Sequence, residues 1–293
     1  MFGMTGGNRR VRATFWLLEA PDSLAEQSRR YPDGYGIGTF EEDGTADIDK
    51  RPAAAYADDQ FAREARDEES TTYLAHVRYA STGALTPANT HPFEQDGRIF
   101  AHNGHVGGLD LLEQHLGDER ELVKGDTDSE RFFALITKEV RARDGDVPAG
   151  IAAAVGWTAR ELPLYSLNFV LSTPTDLWAL RYPDANPLRI LERARGGPTG
   201  RRHLDGASPA GTIRVRSGML ADYPVVIFAS EQMDEDGGWR DLPPGELVHV
   251  DEHLNVEMTV VAPDPPRHQL RLEDLGVHAA ASQRDPRRAR AGT

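Results

Sequence analysis

The chain has 293 residues and no cysteine, and its 47 acidic against 33 basic residues give a formal net charge of −14. This charge disfavours nucleic acids and anionic membrane surfaces as main partners, and the absence of cysteine excludes disulfides, thiolate metal sites and thiol nucleophiles from these residues. No apolar run approaches the roughly 20 residues that a membrane helix needs, and the start lacks a signal-peptide layout, so the sequence predicts a cytoplasmic protein.

Turn residues, helix caps and hydrophobic periodicity predict the elements of the first half of the chain. In chain order they are a strand over 13–18, a helix over 24–30 with Asp22 or Ser23 as its N-cap, a hairpin of strands 35–40 and 46–49, a charged surface helix over 58–69, strands over 72–77 and 98–101, and helices over 109–116, 129–143 and 148–162.

The second half consists of short apolar or alternating runs, which predict strands over 167–172, 177–182, 188–191, 225–229 and 246–250. Strands at both ends with helices between them favour one α+β layered domain over residues 1–262. Residues 193–218, rich in Gly, Pro and Arg, predict a long surface loop or a loosely held hairpin. We expect the C-terminal tail, residues 263–293, to be largely disordered from about Ala279 onward.

Polar residues follow two of the predicted strands. The strand over 72–77 is followed at once by Arg78, just before the turn-prone Ser81 and Thr82. An arginine in this position can hold a carboxylate in a bidentate fork, although a surface ion pair is the commoner role. The strand over 98–101 is followed by His102, Asn103 and Gly104, which predict a turn at Asn103–Gly104. An Asn amide and a Gly backbone N–H that face one point can also stabilise an oxyanion.

A third polar cluster, residues 125–130, precedes the predicted helix over 129–143. Thr127 or Ser129 is expected to cap this helix, which leaves a carboxylate for another task. Four histidines also lie close together in the sequence, namely His76, His91, His102 and His105. Their spacing matches no helical metal-binding motif, and packing or turn roles are favoured, so no metal site is predicted.

Four motifs occur in this order along the chain: HVRYASTG (76–83), NTHPF (89–93), HNG (102–104) and GDTDSE (125–130). Together they resemble the glutamine-binding half of class II glutamine amidotransferases, which are N-terminal-nucleophile (Ntn) hydrolases. The segments PDGYGIG (32–38), ASE (229–231) and LPPGEL (242–247) are similar to those of the stand-alone members of that family. The resemblance covers about residues 1–260.

The resemblance implies a four-layer αββα Ntn-hydrolase sandwich and a small-molecule γ-glutamyl substrate, with no cofactor. By the same resemblance, Arg78 binds the α-carboxylate with help from the Ser81–Thr82 turn, and Asp128 binds the α-ammonium. Asn103 and the backbone N–H of Gly104 match the oxyanion hole. Asp126 is assigned a structural role, as a helix cap or as part of the loop. A separate synthase subunit is a further partner that the family allows, because a stand-alone domain has no acceptor site for ammonia.

The nucleophile is where the chain departs from the family. In the family it is the cysteine after the initiator methionine, whose own α-amino group acts as the base; here residue 2 is Phe2. Thr5, Ser81 and Thr82 are poor substitutes because none has an evident base, so this chain is expected to be inactive as it stands. Two hypotheses follow: an amidohydrolase acting on glutamine or a γ-glutamyl amide, or a non-catalytic γ-glutamyl ligand sensor or partner subunit.

The opening of the chain favours a start three residues too late. Stand-alone members typically open Met-Cys-Arg, an apolar residue, Phe or Leu, and then Gly. Residues 1–3 (MFG) match the fourth to sixth positions of that pattern better than the first to third. We therefore expect the natural protein to begin MCRMFG, with the cysteine second.

Overall fold

A computed structural model of the protein describes residues 1–80, 83–195, 204–207, 214–217 and 223–283. The strands are β1 (Phe2–Thr5), β2 (Gly34–Phe40), β3 (Ala46–Arg51), β4 (Thr72–Arg78), β5 (Phe93–Gln95), β6 (Arg98–Val106), β7 (Pro163–Ser172), β8 (Leu177–Leu180), β9 (Arg189–Arg193), β10 (Leu204–Ala207), β11 (Arg214–Ser217), β12 (Val225–Ala229), β13 (Arg240–Asp241), β14 (Glu246–Val250), β15 (Val256–Val260) and β16 (His268–Gln269).

The α-helices are α1 (Leu24–Gln27), α2 (Asp59–Asp67), α3 (Leu109–Leu116), α4 (Asp128–Arg141), α5 (Val147–Glu161) and α6 (Val277–Ser282). Shorter helical segments lie at Phe15–Glu19, Ala55–Ala57, Pro87–Asn89, Gly117–Leu122 and Leu272–Asp274. Side-chain caps fix where the two longest helices begin. The Thr127 hydroxyl accepts from Glu130 N (3.2 Å) before α4, and the Asp146 carboxylate accepts from Ala149 N (2.9 Å) before α5.

The strands form two large sheets. Sheet 1 has the order β13-β9-β12-β1-β4-β2-β3, and sheet 2 has the order β15-β14-β8-β7-β6-β5. Neighbouring strands along both paths are antiparallel, and β16 adds a short parallel pairing to the start of β7. β1 therefore lies in the middle of sheet 1, between β12 and β4.

Three buried apolar clusters separate the layers. The first lies between sheet 2 and the helices α3, α4 and α5, where the rings of Phe100 and Phe133 stack at 4.8 Å. The second, which includes Trp16 and Phe61, packs α1, α2 and the 15–19 turn against sheet 1. The third, around Val170, fills the space between the two sheets. The layers therefore follow the order helices, sheet 2, sheet 1, helices, which confirms the predicted α+β sandwich of αββα type.

Most predicted helices and strands are present within a few residues, but the strand over 13–18 is wrong. Residues 15–19 form a single π-helical turn, and the first strand of the chain is β1. Phe15, Trp16 and Leu17 are all buried. A short run that is apolar at every position has no periodicity, so pattern alone could not separate a buried turn from a buried strand.

The turn predicted at Asn103–Gly104 is also wrong. Both residues lie inside β6, opposite Asn168 and Leu167 of β7. Asn-Gly makes a hairpin turn where the next strand follows immediately in sequence. Here β6 pairs over most of its length with β7, which lies about 60 residues later in the chain. β6 continues past Gly104 to an irregularity at His105–Val106.

Residues 263–283 form defined elements, and the last of them, α6 (Val277–Ser282), extends past Ala279, where disorder was expected to begin. β16 pairs with β7, and α6 packs through Ala279 and Ala280 in a small apolar cluster that includes Tyr165. A few well-placed apolar residues are enough to hold such a segment, and bulk composition does not show them. Residues 284–293 lie outside the described part of the chain.

The Gly-, Pro- and Arg-rich segment predicted over 193–218 contains β10 and β11, which pair antiparallel as a hairpin. Most of the rest of that segment lies outside the described residues. Within the described ranges, no helix is both long enough and apolar enough to cross a membrane.

Candidate active site

Four of the residues predicted to act on substrate line one cleft at the ends of the two sheets. Arg78 is the last residue of β4, Asn103 and Gly104 lie in β6, and Asp128 is the first residue of α4. The predicted helpers of Arg78, Ser81 and Thr82, lie outside the described residues. The structure thus brings together positions that are up to 50 residues apart in the sequence.

Arg78 is a buried cation. β4 lies between β1 and β2 in sheet 1, and only 5% of Arg78 is exposed. Its Nη1 donates to the carbonyl oxygen of Ala84 (3.2 Å). Burial lowers the pKa of Arg78, and the Asp33 carboxylate opposes that shift. A guanidinium stays protonated in proteins, so the cleft keeps a fixed positive charge suited to a carboxylate.

Gly104 presents its backbone to the open edge of β6. Leu167, opposite Gly104 on β7, donates its amide to the carbonyl oxygen of Tyr182 (2.6 Å), so the Gly104–Leu167 pair does not exchange hydrogen bonds. The N–H and C=O of Gly104 therefore point away from β7. β5 covers that edge only opposite residues 98–100, so the edge is uncovered at Gly104, which lines the cleft.

Asn103 connects the two sheets at the cleft. Its side-chain Nδ2 donates to the hydroxyl of Ser230 (3.3 Å), and Ser230 is the residue that follows β12 in sheet 1. The Ser230 amide in turn donates to the carbonyl oxygen of Met1 (3.1 Å), so the start of β1 lies beside this contact. The Asn103 amide and the Gly104 N–H come from adjacent residues and border the same cleft. This arrangement can donate two hydrogen bonds to one oxyanion.

The loop before α4 holds Asp128 in place. The Glu130 carboxylate accepts from Lys124 N (3.0 Å) and Gly125 N (2.7 Å), which closes the loop. Asp128 Oδ2 accepts from Val106 N (2.8 Å), just past the irregularity in β6. Asp126 belongs to the loop, since its amide donates to the Asn89 side chain (2.7 Å). Within this loop, Thr127 is the N-cap of α4, and Asp128 supplies the carboxylate that lines the cleft.

Three histidines line the inner wall of the cleft. The rings of His76 and His91 lie 4.4 Å apart, and burial holds the pKa of each well below its usual value. His102 is hydrogen-bonded on both nitrogens. A carbonyl can only accept, so Nε2 donates to Ser166 O (3.2 Å) and Nδ1 accepts from the Ser129 hydroxyl (2.9 Å). Burial also lowers the pKa of His102. In the described part of the chain, no three side chains of His, Asp or Glu converge as metal ligands.

Sequence reasoning missed several residues that line the cleft: Met1, Gln27, Tyr31, Ser230, Glu231, Ser282 and Gln283. The Glu231 carboxylate accepts from the Tyr31 hydroxyl (3.1 Å) and pairs with Arg30 (3.0 Å). Ser230 and Glu231 belong to the ASE segment, which marked the resemblance but received no role. Ser230 and Glu231 could have been predicted from the sequence, because they are polar residues of a family motif at the end of a strand.

Known proteins resemble this chain over most of its length. A family model described as glutamine amidotransferases class-II matches residues 19–273. The chain is 28% identical over 254 residues to the gamma-glutamyl-hercynylcysteine sulfoxide hydrolase of Mycolicibacterium smegmatis, covering 82% of this chain and 91% of that protein. It is 32% identical over 228 residues to the putative glutamine amidotransferase YafJ of Escherichia coli, covering 74% of this chain and 84% of the relative.

Solved structures share the fold. Glutamine phosphoribosylpyrophosphate amidotransferase from B. subtilis superposes with a TM-score of 0.61 at 18% identity, over 90% of this chain and 49% of that one, so this chain spans about half of that enzyme. A predicted glutamine amidotransferase from Pseudomonas aeruginosa superposes with a TM-score of 0.56 at 19% identity, over 87% of this chain and 98% of that one. The family model covers most of the chain, and the protein belongs to the class II glutamine amidotransferases.

Proposed function

We propose that this cleft binds the γ-glutamyl group of a small-molecule amide and that the protein hydrolyses the amide when a cysteine is supplied at the N-terminal end of β1. The observation that carries the proposal is the convergence of Arg78, Asp128, Asn103 and Gly104 around one cleft. A buried guanidinium and a carboxylate match the two charges of a free amino acid end, and the Asn-Gly pair matches a developing oxyanion.

The proposed chemistry balances with a thiol and one water. The α-amino group of the cysteine takes the thiol proton, the thiolate attacks the γ-carbonyl carbon, and the resulting oxyanion accepts hydrogen bonds from Asn103 Nδ2 and Gly104 N–H. The C–N bond then breaks, and the departing amine takes a proton from the α-ammonium group of the cysteine. Water attacks the thioester, releases free glutamate and restores the thiol.

The start of β1 supports this position for the nucleophile. Met1 lines the cleft, whereas Phe2 is fully buried in the cluster between sheet 1 and its helices. The side chain of residue 2 therefore points away from the site. Side chains on one face of a strand recur every second residue, so a residue two positions before Met1 shares the face of Met1. A preceding Met-Cys-Arg places its cysteine at that position.

The relatives support the substrate class. The Mycolicibacterium smegmatis relative is named a hydrolase of a γ-glutamyl conjugate, and this chain covers 91% of its length. The YafJ relative is named a putative glutamine amidotransferase. A γ-glutamyl amide is common to both names, and the leaving amine is the part in which they differ.

A second candidate is a non-catalytic γ-glutamyl ligand sensor or partner subunit. The observation in its favour is that these 293 residues contain no cysteine while the cleft keeps its charged and oxyanion-binding residues. In a chain whose first residue is Met1, burial lowers the pKa of the α-amino group to about 6, with the Glu231 carboxylate opposing the shift.

The test compares three proteins: the chain beginning at Met1, the same chain preceded by Met-Cys-Arg, and a control preceded by Met-Ala-Arg. Mass spectrometry first verifies that the initiator methionine is removed from the two extended proteins. We expect all three to bind L-glutamine in calorimetry and only the cysteine form to release ammonia and glutamate. Binding without hydrolysis in the cysteine form would favour the sensor. Absence of glutamine and γ-glutamyl amide binding in all three would overturn both candidates.

A further inference from the structure

The C-terminal segment, residues 263–283, reaches the candidate active site. Its last residue, Gln283, is 8% exposed and lines the cleft together with Ser282. Gln283 Nε2 donates to the carbonyl oxygen of Gly104 (3.1 Å), and Gln283 Oε1 accepts from Asn186 Nδ2 (2.7 Å). A buried amide that is hydrogen-bonded at both its nitrogen and its oxygen is held in one orientation.

The contact between Gln283 and Gly104 depends on the packing of residues 263–283 against sheet 2. β16 pairs with the start of β7, and Leu270 N donates to Leu164 O (2.9 Å). Beyond it, Leu275 and α6 bury apolar side chains in the cluster around Tyr165. The family model ends at residue 273, ten residues before Gln283. This wall of the cleft therefore lies outside the part of the chain that the family model describes.

Gln283 also has a fixed partner on its far side. The Asn186 carbonyl oxygen accepts from Asn168 Nδ2 (3.0 Å) and from Arg181 Nε (2.9 Å). Asn168 stands opposite Asn103 in the β6–β7 ladder. The chain of hydrogen bonds thus runs from Gly104 on β6 to Asn168 on β7, the strand paired with β6, so Gln283 is anchored to the same pair of strands that it contacts.

We propose that Gln283 is a positioning residue for the backbone of Gly104. The N–H and C=O of one strand residue point to the same side, and at Gly104 that side is the open edge of β6. Among the described residues no neighbouring strand restrains the Gly104 carbonyl there, and the Gln283 amide takes the place of a ladder partner. The Gly104 carbonyl and the Gly104 N–H, the proposed oxyanion donor, belong to adjacent peptide planes that meet at the Gly104 Cα, so a restraint on the carbonyl narrows the orientations that the N–H can take. This inference rests on the proposed hydrolytic function for its effect on turnover.

Two substitutions separate the hydrogen bond from the packing of the side chain. Gln283→Met keeps the length and approximate volume but removes the hydrogen bonds of the side-chain amide to Gly104, Asn186 and Ser282. Gln283→Glu keeps the shape, can still accept from Asn186, and places a second acceptor against the Gly104 carbonyl. Gln269→Met, on the exposed β16, is the matched control. In the Met-Cys-Arg form we expect kcat to fall about 10-fold in Gln283→Met and further in Gln283→Glu, with KM nearly unchanged.

A second readout does not depend on activity. In ¹⁵N-labelled protein without the extension, we expect Gln283→Met to shift the amide resonances of Gly104 and His105, because His105 N–H belongs to the same peptide unit as the Gly104 carbonyl. Gln269→Met should leave both resonances in place. This readout works even if the extended protein proves inactive, in which case the proposed hydrolysis fails and the positioning role stands.

The outcomes are distinct. Shifts at Gly104 and His105 with a fall in kcat support the positioning role. Unchanged resonances at both residues would overturn it, whatever the kinetics. A rise in KM with kcat preserved would also overturn it, since that result assigns Gln283 to direct substrate binding.

Discussion

The backbone at position 104 leaves no room for a side chain, which makes Gly104→Ala a severe test of the structure. A Cβ built on Gly104 lies 2.0 Å from the carbonyl oxygen of Ser166 and 2.5 Å from His102 Nε2. The first is backbone of β7, and the second belongs to a buried ring hydrogen-bonded to that same carbonyl. The Ser166 carbonyl is part of the β7 backbone, so β6 and β7 must separate there, and the His102 ring, which belongs to β6 itself, must also shift.

The cost follows from these distances. A Cβ almost never lies within 3.0 Å of a non-bonded heavy atom, so the 2.0 Å contact with Ser166 O must lengthen by at least 1.0 Å (3.0 − 2.0). Overpacking of this kind costs about 1–3 kcal/mol, and loss of the His102–Ser166 hydrogen bond adds about 1 kcal/mol. We therefore expect Gly104→Ala to lower the free energy of unfolding by about 3 kcal/mol. The same displacement moves the Gly104 N–H, and turnover of an active form should fall by about 10²- to 10³-fold.

Urea unfolding followed by circular dichroism measures the stability change, and ammonia release from the Met-Cys-Arg form measures turnover. Gly237→Ala is the control, because a Cβ there meets no atom within 4 Å and the residue is exposed. If Gly104→Ala and Gly237→Ala unfold at the same urea concentration, the β6–β7 approach at this site is not as described. Normal turnover in Gly104→Ala would remove Gly104 from the oxyanion hole.

Three further predictions concern the charge, the amide and the histidines of the cleft. Arg78→Ala should weaken L-glutamine binding by about 3 kcal/mol, or roughly 100-fold in Kd, because an α-carboxylate loses its bidentate partner; calorimetry showing no more loss than in exposed Arg271→Ala would contradict this. Asn103→Ala should leave glutamine affinity nearly intact and lower kcat of the cysteine form by about 10²- to 10³-fold, so a higher KM with normal kcat would refute an oxyanion role. His91 is neutral in the folded state because burial depresses its pKa, whereas the unfolded chain binds a proton below about pH 6.5. The free energy of unfolding should therefore fall as the pH drops below about 6.5, by about 1.4 kcal/mol per pH unit for each such histidine. His91→Phe should make that slope shallower, exposed His253→Phe should not, and equal slopes in the two variants would contradict a buried neutral His91.

The family could be predicted because its motifs are local. Arg78 and Asp128 each sit at the end or beginning of an element whose boundary the sequence marks, by a buried β-branched and aromatic run for β4 and by the Thr127 cap for α4. The predictions of a strand over 13–18 and of a turn at Asn103–Gly104 were wrong for the same reason. Their local patterns fit two conformations, and packing against distant residues chose between them.

The sequence by itself determined the family, the layered α+β fold, the spacing of the four cleft residues and the absence of a thiol from these residues, since each depends only on residue types and their order. The tertiary structure alone decided that Phe2 packs between sheet 1 and its helices while Met1, buried between the two sheets, borders the cleft, and that the Gly104 backbone faces a strand edge that β5 does not cover. It also decided that Gln283, 179 residues away from Gly104 in the sequence, closes that edge. Contacts of this kind depend on how sheets and segments stack, and no local pattern of side chains records which distant backbone group a residue will meet.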